Sequence, residues 1–260
     1  MAPVLEMSCV TVKGDKGLNA LSGLDLTVYA GEIFGIAGVA GNGQRELAEV
    51  IAGMRKPLAG SISIAGKDIS RLSVRELARS DVSYIPEDRM SVGLVAPMDI
   101  PENTSLRHYE SGKYNNRGVL RQKDIRRKAK ELVDRHNIRN AGLHVPVSLM
   151  SGGNLQKLLV ARETNGEHKL IVAAYPVHGV DVGATEAIHK ILLEQRDNGA
   201  AILLISEDLE ELYELSDRVG VLYEGRIMDT VDITEFTYDG IGRLMMGLGS
   251  DENAAGGDAQ

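Results

Sequence analysis

Met150-Ser151-Gly152-Gly153-Asn154-Leu155-Gln156-Lys157 is the stretch around which this chain is organised. A Ser-Gly-Gly triplet ahead of an apolar-periodic run predicts the start of a helix. Ser151 suits the N-cap, and the two glycines let the backbone come close to whatever docks there. Leu155, Leu158, Leu159 and Ala161 predict a buried stripe, with Gly166 at the C′ position. The exposed N–H groups and the helix dipole would then face an anion. In isolation the stretch reads as a capped helix and no more. It gains meaning from the segments on either side.

Upstream, residues 33–37 form a short apolar run without polar alternation, which predicts a strand buried on both faces. It leads into Gly38-Val39-Ala40-Gly41-Asn42-Gly43-Gln44-Arg45. A helix follows, with Leu47, Ala48, Ile51 and Ala52 inward. A glycine-rich turn between a buried strand and a helix is where backbone N–H groups converge on phosphate oxygens. The template is G-x-x-x-x-G-K-[ST]. Gly38, Gly41 and Gly43 suit such a loop, but Gln44 stands in the lysine position and Arg45 in the Ser/Thr position. The lysine supplies a cation at the β/γ-phosphates and the hydroxyl a magnesium ligand. A full charge at ~4 Å is worth about 1–4 kcal/mol between bulk water and a surface-like dielectric. Gln44 offers only an amide dipole. Arg45 cannot ligate magnesium, and it reaches a phosphate only if its side chain turns inward. Taken alone, the segment reads equally as an ordinary tight turn.

The rest of the chain alternates strand and helix. Strands are expected at 5–12, 21–29, 60–64, 82–85, 170–174, 201–206, 218–223 and 226–228. Helices are expected near 74–79, 184–198, 208–215 and 240–246. Pro86 ends a strand. Residues 87–150 read as an inserted helical subdomain, with Pro97 and Pro101 as breakers and a long helix over 123–136. Buried strands alternating with helices predict an α/β sheet, and the β-rich start predicts an antiparallel layer. The domain is expected over 1–247, and the Gly/Ala/Asp-rich 248–260 as a disordered tail.

With 260 residues, 43% of them hydrophobic, the chain is long enough for a sizeable core. The net charge of −8 argues against nucleic acid as a partner. The one basic run, 121–130, is spaced as a helix with Ile125, Ala129, Leu132 and Val133 on one face and a solvated charged face. Cys9 is the sole cysteine, so neither an intrachain disulfide nor a cysteine zinc site is available. It is expected in the core. No run approaches membrane-spanning length and no signal peptide is visible, so the expected location is cytoplasmic, with any membrane reached through a partner.

The order of motifs resembles an ATP-binding cassette (ABC) domain, that is, a P-loop NTPase-type, mostly parallel sheet with an antiparallel β subdomain and an inserted helical subdomain. The family signature reads LSGGQ or close to it, and residues 150–154 match it with conservative changes. Gly31-Glu32-Ile33 leads the loop, and Gly179-Val180-Asp181 matches the D-loop. Gly-Asn-Gly-Gln at 41–44, Ile-Pro-Glu-Asp-Arg at 85–89, Ser-Gly-Gly-Asn at 151–154 and Gly-Val-Asp-Val-Gly-Ala at 179–184 are most similar to the second, C-terminal cassette of bacterial simple-sugar or nucleoside importers.

The resemblance carries expectations residue by residue. The family's magnesium-binding Asp is Ala174 here, and the water-polarising Glu is Tyr175. The loop Gln is Glu87, and the switch His is Glu207. No aromatic lies near residues 12–17, where one would stack on adenine. The chain's own site is therefore expected to be degenerate, with no catalytic residue intact and magnesium not expected there. Ser151, Gly152, Gly153 and Asn154 would serve ATP held mainly by a partner cassette with an intact phosphate loop. Asp181 is either the D-loop contact across a dimer or the N-cap of the following helix; His178 is expected in an exposed loop. Further expected partners are transmembrane permease subunits and, indirectly, an extracytoplasmic binding protein, which would place the chain on the inner face of the bacterial membrane. The alternative is a non-transporter ABC protein acting on nucleic acid or the ribosome.

Overall fold

The computed structural model describes residues 2–77, 79–107, 109 and 114–248. The chain opens with β1 (Pro3–Lys13), β2 (Asn19–Tyr29), β3 (Ile33–Ala37), α1 (Gln44–Ile51), β4 (Ala59–Ile64), β5 (Lys67–Asp68), α2 (Val74–Leu77) and β6 (Val82–Ile85). Then come α3 (Ile100–Ser105), β7 (Asn115–Asn116), β8 (Val119–Leu120), α4 (Gln122–Arg135) and α5 (Gly152–Glu163). Next are β9 (Leu170–Ala174), α6 (Val182–Asp197), β10 (Ala201–Ile205) and α7 (Leu209–Leu215). The described chain closes with β11 (Arg218–Tyr223), β12 (Arg226–Asp232) and α8 (Tyr238–Met245).

Two compact units share the chain. Among the described residues, the first takes those up to Tyr84, then His168–Tyr175 and those from Gln195 on; the second takes those of Ile85–Glu167 and Pro176–Glu194. In the first unit, a six-stranded sheet runs β12-β11-β3-β10-β9-β6 and a four-stranded sheet runs β2-β1-β4-β5. β3 pairs in parallel with both β10 and β11, and β9 runs parallel to β10. All five residues of β3, of β9 and of β10 are buried, as strands covered on both faces require. The four-stranded sheet is antiparallel, so the mostly parallel core with an antiparallel layer is as the sequence predicts.

The turn between β11 and β12 is pressed against the start of β2. Gly225 has φ +74°, and a Cβ there would lie 2.3 Å from the Ala20 carbonyl oxygen. Gly43, with φ +109°, would meet the same oxygen at 2.4 Å. Both positions therefore demand glycine on conformational and steric grounds. The glycine-rich loop after β3 ends against this wedge.

Cys9 is exposed, contrary to the expectation of a core thiol. The register of β1 on β2 shifts between Met7 and Val10, and Cys9 sits there with φ +49°. Buried positions run Leu5, Met7, then Val10, Val12, and the change of parity betrays the bulge.

In the second unit, α4 buries Ile125, Ala129, Leu132 and Val133, as predicted. Its outer charges pair along the helix, Arg127 with Asp124 and Lys130 with Asp134. Pro101 breaks nothing. It lies in the first turn of α3, where no N–H is needed, behind an Asp99–Glu102 capping box. A small hairpin, β7 with β8, interrupts a block read as helical and loopy. Its turn uses Arg117 and Gly118 at positive φ.

α5 departs from its expected one-sided stripe. Gln156, Arg162 and Glu163 are buried together with the apolar residues. They are tolerated because each is paired: Gln156 Nε2 donates to Pro176 O at 2.7 Å, and Arg162 bonds both Glu163 and Gly93 O. Arg107 adds a second cation to Glu163. The helix ends at Glu163 with Thr164 as its cap, so Gly166 falls one residue beyond the expected C′ position. Of the expected tail, residues 249–260 lie outside the described residues.

Candidate functional site

The glycine-rich loop of the first unit is closed by its own side chains. Gln44 is buried, and its Nε2 donates to Val39 O at 2.9 Å. Asn42 Nδ2 donates to the same carbonyl at 2.9 Å. Asn42 also receives Glu224 N–H on its side-chain oxygen at 2.8 Å and Gly225 N–H on its carbonyl at 3.0 Å. A lysine at position 44 would send a cation outward; this amide is spent inside the loop.

Arg45 turns away. Its Nε donates to Glu49 at 2.8 Å and its Nη1 to Asp15 at 3.3 Å. Arg55 joins the same group, bonding Glu49 at 2.7 Å, Asp15 at 2.8 Å and Lys13 O at 2.9 Å. The stretch expected to lack a stacking aromatic thus carries a charge network that ties residues 13–15 to α1. The Arg55 hydrogen bond, then the charges of Arg55 and Arg45, hold the Asp15 carboxyl below its ordinary pKa. Bonding to Glu49 raises the already high pKa of Arg45. Sequence inspection missed this network because its members are brought together by the fold.

At the end of β9, Ala174 is buried. Tyr175 follows with φ +49°, packs against the core of this unit and donates its N–H to Ile205 O at 2.8 Å. Neither residue offers a carboxylate. Glu207 is exposed at the end of β10. The neighbouring Ser206 hydroxyl is committed to Glu211 at 2.6 Å.

The second unit holds the Ser-Gly-Gly segment. Ser151 stands at the N-cap of α5, as read from the sequence, but its hydroxyl makes no capping bond to the backbone. Instead it accepts from Asn154 Nδ2 at 2.8 Å, and Asn154 Oδ1 accepts from Arg139 N at 2.8 Å. Asp181 caps α6 by accepting from Ala184 N at 3.0 Å. Its carboxylate also lies so close to Gly153 that a Cβ there would meet it at 2.9 Å.

Arg89 and Gln156 bind the segment before Asp181 to the start of α5. Arg89 Nη1 donates to His178 O at 3.3 Å and lies 3.5 Å from Gln156 Oε1. Its Nη2 would stand 3.8 Å from a Cβ on Gly152. Glu87 and His178 face each other at 4.0 Å, both exposed, with His178 in a loop as expected. Asp88 fixes the turn that follows Glu87 by accepting from Met90 N and Ser91 N; the Ser91 bond lowers its pKa. The structure therefore brings Ser151, Gly152, Gly153, Asn154 and Asp181 together. Arg89 and Gln156, which sequence reasoning gave no role, connect them.

A family model described as "ABC transporter" matches residues 21–175. Guanosine import ATP-binding protein NupO of Bacillus subtilis is 43% identical over 246 residues, covering 95% of this chain and 48% of the relative. Glucose import ATP-binding protein TsgD13 of Haloferax volcanii is 41% identical, covering 99% and 46%. The chain thus spans about half the length of the curated relatives it matches. Among solved structures, a dimeric ATP-binding cassette in a post-hydrolysis state, bound to ADP and Pi, superposes with a TM-score of 0.76 at 20% identity, covering 89% of this chain and all of that one. A nucleotide-free cassette from an ABC transporter superposes at 0.73, with 21% identity over 89% of this chain and 92% of its own. At those identities the likeness speaks for the fold.

Proposed function

The chain belongs to the ABC transporter family, and from that premise we propose that it is a cassette of a bacterial simple-sugar or nucleoside importer whose own nucleotide site is degenerate. It corresponds to the second cassette of a two-cassette protein. Its role is to lend Ser151, Gly152, Gly153 and Asn154 to ATP held by a partner cassette with an intact phosphate loop. Asp181 caps α6 and in the assembly also meets that partner as the D-loop contact, and the helical block over 87–150 docks on the transmembrane permease. An extracytoplasmic binding protein delivers the solute, and the assembly sits on the inner face of the membrane. The import functions named for the relatives support the solute class.

The observation that carries this reading is the closed loop. Gln44 spends its amide on Val39, and Arg45 faces Glu49 and Asp15. At the end of β9 stand a methyl group and a phenol where a metal site needs oxygen anions. This donor set does not fit a magnesium-bound triphosphate, so no hydrolytic step is assigned to it. The opposite half of a composite site is intact: an uncapped helix N-terminus, two glycines and a serine hydroxyl. Donors of this kind stabilise charge that develops on a transferring phosphoryl group.

The test is ATP turnover by the isolated chain. The expected rate is that of a mock preparation, and a rate well above it overturns the degenerate site. In the full assembly, Gln44→Ala is expected to keep turnover within about twofold of the parent, because no transition-state contact is lost. A large fall in that variant would return a working role to the loop.

A further inference from the structure

The hydroxyl of Ser151 is held in an unusual way for its position. An N-cap serine ordinarily accepts from the N–H of the second or third helical residue. Ser151 occupies the N-cap, with its own carbonyl accepting from Leu155 N at 2.9 Å, yet its side chain makes no such bond. Its oxygen accepts instead from Asn154 Nδ2 at 2.8 Å.

The amide of Asn154 has no freedom to reverse. Its oxygen takes the backbone N–H of Arg139 at 2.8 Å, and an N–H can only donate. Flipping the amide would set NH2 against the Arg139 N–H and lose that bond, and it would turn Ser151 from acceptor into donor. Asn154 therefore always presents a donor to Ser151. A hydroxyl that accepts along one lone pair directs its own proton elsewhere. The N–H groups of Gly153 and Asn154 are also spared the serine oxygen that would normally occupy one of them.

We propose that Asn154 is a positioning residue that polarises Ser151 as a hydrogen-bond donor to the terminal phosphate of the partner-held ATP. Arg139 N–H acts as the fixed point that sets the direction of the relay. The inference rests on the signature reading of Ser151 given above and adds the device that orients its proton. No bond is made or broken in the relay; the amide sets only which way the hydroxyl points.

Asn154→Asp tests it in the complete assembly with magnesium ATP. The carboxylate keeps the size of the side chain and still accepts from Arg139 N–H. Toward Ser151, however, it changes from donor to acceptor and turns the hydroxyl proton inward. The kcat for ATP is expected to fall roughly 100-fold, the scale of losing one transition-state donor. KM is expected to stay within about twofold, because the partner's loop holds the nucleotide, and the thermal midpoint should be unmoved. Ser151→Ala should show the same fall in kcat. The double variant should be no worse than the worse single one, since both remove the same donor.

Multiplying losses in the double variant would overturn the inference, because the carboxylate would then be acting without Ser151. An unchanged kcat in Asn154→Asp beside an impaired Ser151→Ala would also overturn it while leaving the signature reading intact. An unaffected Ser151→Ala would remove the signature reading, and the inference with it.

Discussion

Ser151→Arg is expected to reduce ATP turnover of the assembled transporter by about 1,000-fold or more, the upper range for loss of a preorganised donor. Three effects act in one direction. The hydroxyl is lost, and Asn154 Nδ2 loses its acceptor. A long side chain replaces a short one at the mouth of a site whose next two residues are glycines. The new guanidinium also enters ground already held by Arg89, whose Nη2 stands 3.8 Å from a Cβ on Gly152. Like charges in one neighbourhood repel, and a cation at the N-terminus of α5 opposes the helix dipole by about 0.3–1 kcal/mol. The check is steady-state hydrolysis beside equilibrium nucleotide binding, which should be retained because the partner supplies the loop. Turnover above roughly a tenth of the parent would contradict the trans role, since even one lost donor costs more than that.

The second large effect is on stability. Gly225→Ala is expected to cost about 3 kcal/mol, from a left-handed backbone penalty of about 1–2 kcal/mol and forced displacement of packed neighbours. The added methyl would lie 2.3 Å from Ala20 O and 3.0 Å from Leu21 Cα, and both are backbone atoms of β2. Neither can swing aside as a side-chain tip would. The expected fall in thermal midpoint is roughly 6–12 °C for a chain of this size. Gly242→Ala is the control. That glycine lies inside α8, and nothing stands within 4 Å of the new Cβ. Relief of glycine's conformational freedom should leave the midpoint level or slightly higher. A Gly225→Ala midpoint equal to that of the control would show that the wedge on Ala20 carries no strain.

Much of the sheet was legible in the sequence. β3, β6, β9 and β11 fall on the residues expected; in β3 and β9 uniform burial leaves an unbroken apolar run with glycine or charge beside it. Cys9 was misplaced because a bulge spoils the two-residue period that places side chains inside or out. Pro101 was read as a breaker, although a helix tolerates proline in its first turn.

The candidate site was legible as a set of letters but not as an arrangement. Gln44 could be named as a missing lysine, while its turn inward to Val39 is a rotamer choice made by the packed loop. Asn154 could be named as a signature residue, but its tie to Arg139 crosses a loop that periodicity does not describe. The Arg89 contact with His178 joins residues distant in sequence, and no local pattern announces it.

The pairing of β3 has a consequence for how the chain is made. Ile33 must wait for Ile202, and Phe34 for both Leu203 and Arg218. With about 170 residues still to be synthesised at about 5–20 per second, the nascent strand stays unmatched for roughly 10–30 s. During that interval a five-residue apolar ribbon emerges from the ribosome with both edges open, a template for wrong partners. Slower translation lengthens the exposure, so recovery of folded protein is governed by elongation rate and by whatever shields the ribbon until β10 arrives.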